Sequence, residues 1–376
     1  MSDNTLNSAS PVIFEELATQ DGHLIGVATL NAPKALNALS LEMIEAMYPQ
    51  FLAWQDNEQI KAVWLQGAGD KAFCAGGDIV QLYNSMVEHP GGPNPYAEKF
   101  FTDEYRLDHL IHTYSKPFIL WGNGIVMGGG LGLMAGARHR VVTESARIAM
   151  PEITIGLYPD VGGSYFLNRM PGRTGLFLGL TGANINAADA LFVGLGDRFV
   201  THDRREATFD ALKAADWSVD AETVVNQILR QQESQSLESL PASPVREHFD
   251  LIQQLTDADD VATLVAQITE VKTGDKWLSR AASTLAAGSP TAMHLIVRQL
   301  QATRQMSLAE VFRCELNLSV QAACKGEFAE GIRALLIDKD REPKWHSSDV
   351  AEVEAEWLDS FFEPLWPEGQ HPLNDL

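Results

Sequence analysis

The segment NGIVMGGGLGLMAG, residues 123–136, decides the fold prediction. An apolar run typical of a strand leads into three glycines, Gly128, Gly129 and Gly130, and a run typical of a helix follows. Glycine lets the main chain approach a ligand closely, and N–H groups at the start of a helix can bind a carbonyl oxygen. The segment therefore predicts a strand, a tight turn and a helix, with N–H groups placed to contact a ligand.

A second glycine turn lies upstream in FCAGGDI, residues 73–79. It follows a short apolar strand at residues 62–66 and precedes a predicted helix at 78–88. The N–H of Gly77 would then stand at the head of one helix, as Gly129 does at the other. Two such donors make an oxyanion hole, in which losing one donor typically costs about 3–4 kcal/mol of transition-state stabilisation. The alternative is that these glycines serve only tight turns and close helix packing.

Two carboxylates follow in RIAMPEITIGLYPDVGGSYFLNRM, residues 147–170. Glu152 follows Pro151 and Asp160 follows Pro159, and a proline restricts the backbone beside each acid. Two carboxylates in one cleft would push their pKa values apart, so that one could act as base or nucleophile while the other orients water or substrate. The alternative is that two of the 50 acidic residues fall in a surface loop by chance.

The wider pattern predicts an α/β region followed by a mainly helical one. VIFEEL and LIGVATL flank Asp21-Gly22 as a hairpin, and strands and helices alternate up to residue 143. The strands are predicted at residues 117–121 and 140–143, and the helices at 36–54, 96–114 and 127–135. We expect a disordered N-terminus at 1–10, a core at 11–200 and a mainly helical region at 201–376. The helices of this last region should be broken at 234–244, at Gly274 and at 288–290, and only the first half of 345–376 should be helical.

Composition narrows the class of protein. The chain has 376 residues, 45% of them hydrophobic, and a net charge of −22 from 28 basic and 50 acidic residues. Such an acidic chain is not expected to bind nucleic acid, and no apolar run approaches the roughly 20 residues of a membrane span. The first ten residues resemble no signal or transit peptide, and three cysteines argue against a disulfide framework, so a cytoplasmic protein is predicted. No metal-binding spacing occurs, and Cys74 is expected to be a packing residue.

Three blocks resemble the crotonase (enoyl-CoA hydratase/isomerase) superfamily: LNAPKALNALS (residues 30–40), KAFCAGGDI (71–79) and NGIVMGGGLGL (123–133). The resemblance implies a spiral of stacked ββα units that binds CoA thioesters through backbone donors, here the N–H groups of Gly77 and Gly129. It also implies that their neighbours contact the substrate, namely Gly76, Asp78 and Gly128.

Hydratases of this superfamily use two glutamates. The position of the first is Gly132 here, and the second matches Glu152, so the chain departs from the hydratase pattern. The segment AMPEITIGLYPDVGGSYFLNRMPG instead resembles the 3-hydroxyisobutyryl-CoA hydrolases, which have Glu in the PE pair and Asp in PDVGG. Further similar blocks are FFTDEYRLDHLIHTYSKPFI (residues 100–119), GSPTAMHL (288–295) and FAEGIRALLIDKDREPKW (328–345).

This resemblance implies hydrolysis of 3-hydroxyisobutyryl-CoA in valine degradation, with Glu152 and Asp160 as catalytic acids. Glu152 would either attack to form an anhydride or activate water, and Asp160 would orient the water or the acyl group. Glu104 would contact the substrate. The alternatives are an enoyl-CoA hydratase or isomerase, a CoA-binding protein without turnover, and a hydrolase that also accepts the smaller 3-hydroxypropionyl group.

No cofactor or metal is expected, because CoA is part of the substrate. The CoA phosphates are expected to meet basic residues, with Lys34, Lys71 and Lys339 as candidates. For Lys339, a helix-capping or surface role is the alternative. A homo-oligomer is possible in this superfamily, and the longer C-terminal half of this chain could instead fold back on its own site.

Overall fold

The computed structural model describes residues 10–376, so the predicted disordered N-terminus lies outside the described residues except for Ser10. Nine strands, β1–β9, occur in the described part of the chain. They are Val12–Ala18, Leu24–Leu30, Ile60–Gly67, Ala72–Cys74, Phe118–Gly122, Ile125–Met127, His139–Val142, Arg147–Ala149 and Arg198–Phe199.

Seventeen α-helices, α1–α17, occur in the same part of the chain. They are Leu41–Asp56, Ile79–Glu88, Pro95–His112, Gly129–Gly136, Gly163–Leu167, Thr174–Thr181, Ala187–Val193, Arg205–Ala214, Ala221–Ser234, Pro244–Glu247, Phe249–Leu255, Val261–Thr269, Lys276–Ala287, Pro290–Thr303, Leu308–Cys324, Glu327–Ile332 and Ala355–Phe361. Short 3₁₀ helices lie at Pro33–Ala35, Glu152–Ile155, His202–Arg204, Leu237–Ser239 and Val350–Glu352, and a π-helix at Arg333–Ile337. None of the helices within residues 10–376 has the length and apolar character that crossing a membrane requires.

The chain divides into two compact units that alternate along the sequence. The first unit comprises residues 1–77, 110–148 and 185–243, and the second comprises 78–109, 149–184 and 244–376. The predicted boundary at residue 200 stays a prediction.

The first unit contains two sheets. Six strands lie in the order β1-β2-β3-β5-β7-β9, and the other sheet has the order β4-β6-β8. Strands β1 and β2 form the predicted antiparallel hairpin around Asp21-Gly22, whereas β2 with β3, β3 with β5, β5 with β7 and β7 with β9 are parallel pairs. Parallel neighbours need crossover connections, so the alternating pattern predicted this topology correctly.

The core of the first unit is built on aromatic side chains of the large sheet. Trp64 of β3 stacks on Trp121 of β5 with ring centroids 5.3 Å apart, and Phe209 of α8 packs on Trp64 at 4.2 Å. All three side chains are buried. Burying side chains of this size contributes most of the favourable free energy of folding in such a core.

Two predicted helix starts are wrong. The helix expected from Leu36 begins at Leu41, because Leu36 and Asn37 have left-handed backbones (φ 53° and 55°) and Ser40 caps the helix by accepting the N–H of Met43. Asn37 is buried and its amide bonds three backbone groups, which fixes this turn. Likewise, Met127 ends β6, and α4 begins at Gly129.

The second unit is mostly helical. The helix breaks predicted at Gly274 and at 288–290 are confirmed in it, and the break predicted at 234–244 separates α9 from α10. Helix α14 starts at Pro290 after Ser289, whose side chain accepts the N–H of Ala292. Helix α15 starts after Ser307 with a capping box to Glu310. No strand follows Phe199 in the described residues, as the sequence predicted.

Candidate active site

The two glycine turns lie at one edge of the small sheet in the first unit. Strands β4 and β6 are parallel, with Ala72 opposite Ile125 and Cys74 opposite Val126. The carboxyl ends of parallel strands meet at the same edge of a sheet, so the turns that follow them are neighbours. The Gly76 Cα lies beside the backbone of Met127: an added Cβ would be 3.5 Å from the Met127 carbonyl oxygen.

The glycines in these turns are required for two different structural reasons. Gly76 (φ 111°) and Gly128 (φ 47°) hold backbone conformations that other residues rarely adopt. Gly130 permits close packing, because a Cβ there would be 2.4 Å from the carbonyl oxygen of buried Cys74. The packing alternative is therefore correct for Gly130.

Gly77 and Gly129 keep their N–H groups available. Gly129 is the first residue of α4, so its N–H has no partner within the helix. Neither N–H donates a hydrogen bond to another atom within residues 10–376. Asp78 caps α2 by accepting the N–H of Gln81 at 3.4 Å.

The predicted acids lie in the second unit, and three of them are buried together. Glu152 begins its 3₁₀ helix with 5% of its surface exposed, Asp160 is also 5% exposed, and Glu104 on α3 is 2% exposed. Burial raises the pKa of Glu152 and of Glu104, and the charge of Asp160 raises both further. The interpretation of these acids as chance surface residues is therefore wrong.

Sequence reasoning missed two further buried carboxyls, Asp108 and Glu315. Asp108 lies one helical turn after Glu104 on α3, and neither of its oxygens has a hydrogen-bond partner among the described residues. Burial raises its pKa, followed by the charges of Glu104, Asp160 and Glu315. The signal that could have found Asp108 is its i, i+4 spacing from Glu104, which places both side chains on one helix face.

Glu315 on α15 holds the loop that follows Asp160. Its carboxylate accepts the N–H of Gly162 at 2.7 Å and the N–H of Ser164 at 2.9 Å. Burial raises the pKa of Glu315 to about 8, although these donors oppose the rise. No local pattern in the sequence could have identified Glu315, because it lies 153 residues after its partner Gly162.

Asp160 is the centre of the cluster. Its Oδ2 contacts the Tyr105 hydroxyl at 2.7 Å, and that hydroxyl contacts Ser319 Oγ at 2.7 Å. Burial raises the pKa of Asp160 to about 6, while the Tyr105 hydrogen bond opposes the rise. Val161, the next residue, has a left-handed backbone (φ 53°), which is unusual for a β-branched side chain.

Five acidic side chains thus share one buried region: Glu104, Asp108, Glu152, Asp160 and Glu315. Carboxyls that raise one another's pKa cannot all be ionised at neutral pH, so the group can hold carboxylate bases and protonated acids together. This is the combination that acid–base or nucleophilic catalysis at a carbonyl requires. No set of three or more side chains arranged to hold a metal ion was found in residues 10–376.

The first unit also carries a basic cavity. A cavity of about 440 Å³ is lined in part by Lys34, Lys71, Leu36 and Asp70. Both lysines are exposed, so their charges are available to a phosphate. The third candidate, Lys339, is exposed in the second unit and has a left-handed backbone (φ 59°) two residues after the π-helix.

Comparison with known sequences decides the family. A profile of the enoyl-CoA hydratase/isomerase family matches residues 25–362. The chain belongs to the enoyl-CoA hydratase/isomerase family. The crotonase resemblance is confirmed, and with it the predicted fold class, which the structural neighbours below share.

Two vertebrate relatives in this family carry the name 3-hydroxyisobutyryl-CoA hydrolase, mitochondrial. The protein of Danio rerio is 41% identical over 95% of this chain and 91% of its own length. The protein of Homo sapiens is 36% identical over 93% of this chain and 89% of its own. Their names agree with the predicted type of enzyme, an acyl-CoA thioester hydrolase. The predicted cytoplasmic location stays a prediction, because "mitochondrial" describes those proteins.

Two solved structures share the fold over most of their length. A carnitinyl-CoA dehydratase from Mycobacterium thermoresistibile has a TM-score of 0.82 and 34% identity, covering 95% of this chain and 99% of its own. An enoyl-CoA hydratase from Rhodobacter sphaeroides 2.4.1 has a TM-score of 0.80 and 32% identity, covering 94% and 97%.

Proposed function

We propose that this chain hydrolyses the thioester of 3-hydroxyisobutyryl-CoA to 3-hydroxyisobutyrate and free CoA, a step of valine breakdown. The observation that carries the proposal is the burial of Glu152 and Asp160 in one carboxyl cluster. Gly132 supports it, because a glycine stands where hydratases of the superfamily have their first catalytic glutamate. The names of the vertebrate relatives support the same substrate.

In the proposed reaction, the N–H groups of Gly77 and Gly129 stabilise the oxyanion that forms when the thioester carbonyl is attacked. Neither N–H group donates to a competing acceptor among the described residues, which favours this role. A preorganised pair of donors lowers the barrier because it needs no reorientation as the charge develops.

Glu152 supplies the attack, as nucleophile or as base for water. Its Oε2 is buried and has no hydrogen-bond partner in the described part of the chain, so the carboxyl is weakly solvated and reactive when ionised. The two routes differ in one intermediate: only nucleophilic attack gives an acyl group bonded to Glu152. A mass increase of one acyl group at Glu152, found by rapid quench and mass spectrometry, would establish the anhydride route.

Glu104 and the basic cavity complete the proposed substrate contacts. The buried Oε1 of Glu104 lacks a hydrogen-bond partner among the described residues and could accept one from the 3-hydroxyl group. Lys34 and Lys71 would contact the phosphates of CoA. A single methyl in an apolar pocket is worth about 1–3 kcal/mol, so we expect turnover of 3-hydroxypropionyl-CoA as well.

The second candidate is hydration of an enoyl-CoA, which the names of the two solved structures favour. Thiol release from 3-hydroxyisobutyryl-CoA, read with a chromogenic disulfide, separates the two functions when crotonyl-CoA hydration is followed in parallel. We expect thiol release that falls about 10²–10⁴-fold in Glu152→Gln and in Asp160→Asn.

The matched control is Glu356→Gln, an exposed acid of α17 in the same unit, which should keep the wild-type rate. Consumption of crotonyl-CoA without thiol release from the hydroxy ester would replace the hydrolase proposal with the hydratase one. Binding of both thioesters without turnover would identify a CoA-binding protein.

A further inference from the structure

Three hydroxyl groups connect Asp160 to a backbone carbonyl in the second unit. The Tyr105 hydroxyl lies 2.7 Å from Asp160 Oδ2 and 2.7 Å from Ser319 Oγ. Ser319 Oγ lies 2.9 Å from the Tyr158 hydroxyl, which lies 2.8 Å from the carbonyl oxygen of Glu315. All four side chains are buried.

The donor and acceptor in each of these hydrogen bonds can be assigned by starting from the backbone carbonyl of Glu315. A backbone carbonyl can only accept, so Tyr158 must donate its single proton to Glu315. Ser319 must then donate to Tyr158, because the Tyr158 proton is already used. For the same reason Tyr105 must donate to Ser319.

The contact between Asp160 Oδ2 and the Tyr105 hydroxyl then needs a proton from Asp160. Four oxygen–oxygen contacts require four protons, and the three hydroxyl groups supply three. A protonated Asp160 supplies the fourth through Oδ2, since a neutral carboxyl group is a donor. When Asp160 is ionised, Tyr105 must turn to donate to it, and one of the four buried contacts is left without a proton.

We propose that Tyr105, Ser319 and Tyr158 form a directional hydrogen-bond chain that favours the protonated state of Asp160. Ser319 is the positioning residue that sets the direction, because it is the only member that contacts two other hydroxyl groups of the chain. A buried contact between two oxygens with no proton between them is unfavourable, which is why the chain favours the protonated state.

Other acidic groups face Asp160, and the charge of an ionised Asp160 raises the pKa of each of them. They are Glu104 and Asp108 from α3, Glu152 from its 3₁₀ helix, and Glu315 from α15. Burial raises the pKa of Asp160 itself to about 6, while a hydrogen bond donated by Tyr105 to the ionised carboxylate opposes that rise. Removing a hydroxyl group leaves these acidic groups in place. Variants that lack one hydroxyl therefore test the hydrogen-bond chain alone.

The inference rests on the proposed function for its chemical meaning. When Glu152 acts as the base, water forms a carbon–oxygen bond at the thioester carbonyl, and the carbon–sulfur bond then breaks with its electron pair leaving on the CoA sulfur. The proton on Asp160 Oδ2 would pass to that sulfur, and Tyr105 would then donate to the ionised carboxylate. The proton that Glu152 removes from water restores Asp160 for the next cycle, so protons balance over one turnover.

The test is a titration of Asp160 by infrared spectroscopy, using the carbonyl stretch of the protonated acid that disappears in Asp160→Asn. Ser319→Ala should lower the midpoint by about one pH unit, because Tyr105 is then free to donate to the carboxylate. Tyr158→Phe should lower it similarly, because Ser319 is released to donate to Tyr105. Tyr105→Phe should raise it, because the ionised carboxylate loses its donor.

Two controls separate the chain from general effects of buried substitution. Ser319→Thr keeps the hydroxyl and should keep the midpoint. Ser85→Ala removes another buried serine hydroxyl of the same unit, which contacts Asn94, and should also keep it. An unchanged midpoint in Ser319→Ala, or a shift of equal sign in Tyr105→Phe and Tyr158→Phe, would overturn the proposal.

The titration does not depend on turnover, so the two proposals can fail separately. If the midpoints shift as expected but no thiol is released from 3-hydroxyisobutyryl-CoA, the hydrogen-bond chain stands and the proposed hydrolysis fails. If thiol is released, the alkaline limb of kcat/KM, where Asp160 loses its proton, should move in the same direction as the infrared midpoint in each variant.

Discussion

The carboxylate of Glu315 accepts the N–H of Gly162 at 2.7 Å, although 153 residues of chain separate them. The same carboxylate accepts the N–H of Ser164, so one side chain satisfies two buried backbone donors. These contacts fix the turn that carries Asp160. The energetic consequence can be measured directly.

We predict that Glu315→Ala lowers the free energy of unfolding by about 2–6 kcal/mol, because it leaves two buried N–H groups without acceptors at about 1–3 kcal/mol each. Glu315→Gln should cost less, since its amide oxygen can still accept one bond. Urea unfolding gives both values from the midpoint at constant m. We call the contacts of Glu315 with Gly162 and Ser164 the clamp; equal loss in the two variants would contradict it. The control Glu356→Gln should leave the urea midpoint unchanged.

The burial of Asp108 predicts that the stability of the folded protein depends on pH. Its pKa in the folded protein is raised by burial and by Glu104, so the folded state binds a proton more tightly than the unfolded state does. Its contribution to stability is therefore full below the unfolded pKa of about 4 and is lost as pH rises toward the folded pKa. Asp108→Asn removes this loss, so the variant should gain in Tm over wild type between pH 5 and pH 8.

The matched control for that prediction is Asp103→Asn on the same helix. Asp103 pairs with Lys99 at 2.5 Å on the outer side, and its side chain is 29% exposed. Its difference from wild type should change little across the same pH range. If Asp108→Asn follows Asp103→Asn at both pH values, Asp108 ionises in the folded protein as freely as in the unfolded chain.

We predict that substitution of Gly130 disturbs packing and does not remove an oxyanion donor. In Gly130→Ala the new Cβ would be 2.4 Å from the carbonyl oxygen of Cys74, so α4 must move away from β4. We expect a loss of about 1–3 kcal/mol in the free energy of unfolding. Gly274→Ala is the control, because no atom lies within 4 Å of its Cβ; it should be neutral or slightly stabilising.

Lys34 and Lys71 predict a binding defect that depends on the nucleotide part of CoA. If they contact its phosphates, Lys34→Ala and Lys71→Ala should raise KM about 5–50-fold at low salt with little change in kcat. The effect should shrink with rising ionic strength and vanish with an acyl-pantetheine that lacks the nucleotide. Lys61→Ala, which lines another cavity of the same unit, should behave as wild type.

Much of the fold could be predicted because its signals are local. The Asp21-Gly22 hairpin, the strand predicted at residues 62–66 and found at 60–67, and the helix break at Ser289 each follow from neighbouring residues. The start of α1 was missed because the left-handed turn at Leu36 depends on Asn37 bonding to Ala68 and Ala72, which are distant in sequence.

The candidate site shows the same limit. Glu152 and Asp160 could be proposed from one loop, and Glu104 from a family block. Glu315 and Ser319 could not, since their partners precede them by 150 residues or more and a helix such as α15 carries no local mark of what it packs against. Burial also decides their chemistry, and burial is a property of the folded chain.

The clamp between Glu315 and Gly162 has a consequence for biosynthesis. A ribosome adds about 5–20 residues per second, so roughly 8–30 s pass between the synthesis of Gly162 and that of Glu315. During this interval the turn after Asp160 exists without its acceptor, and Asp160 without Ser319. The nascent chain therefore cannot assemble its buried acids until α15 has left the ribosome, which makes catalytic competence a late event in translation.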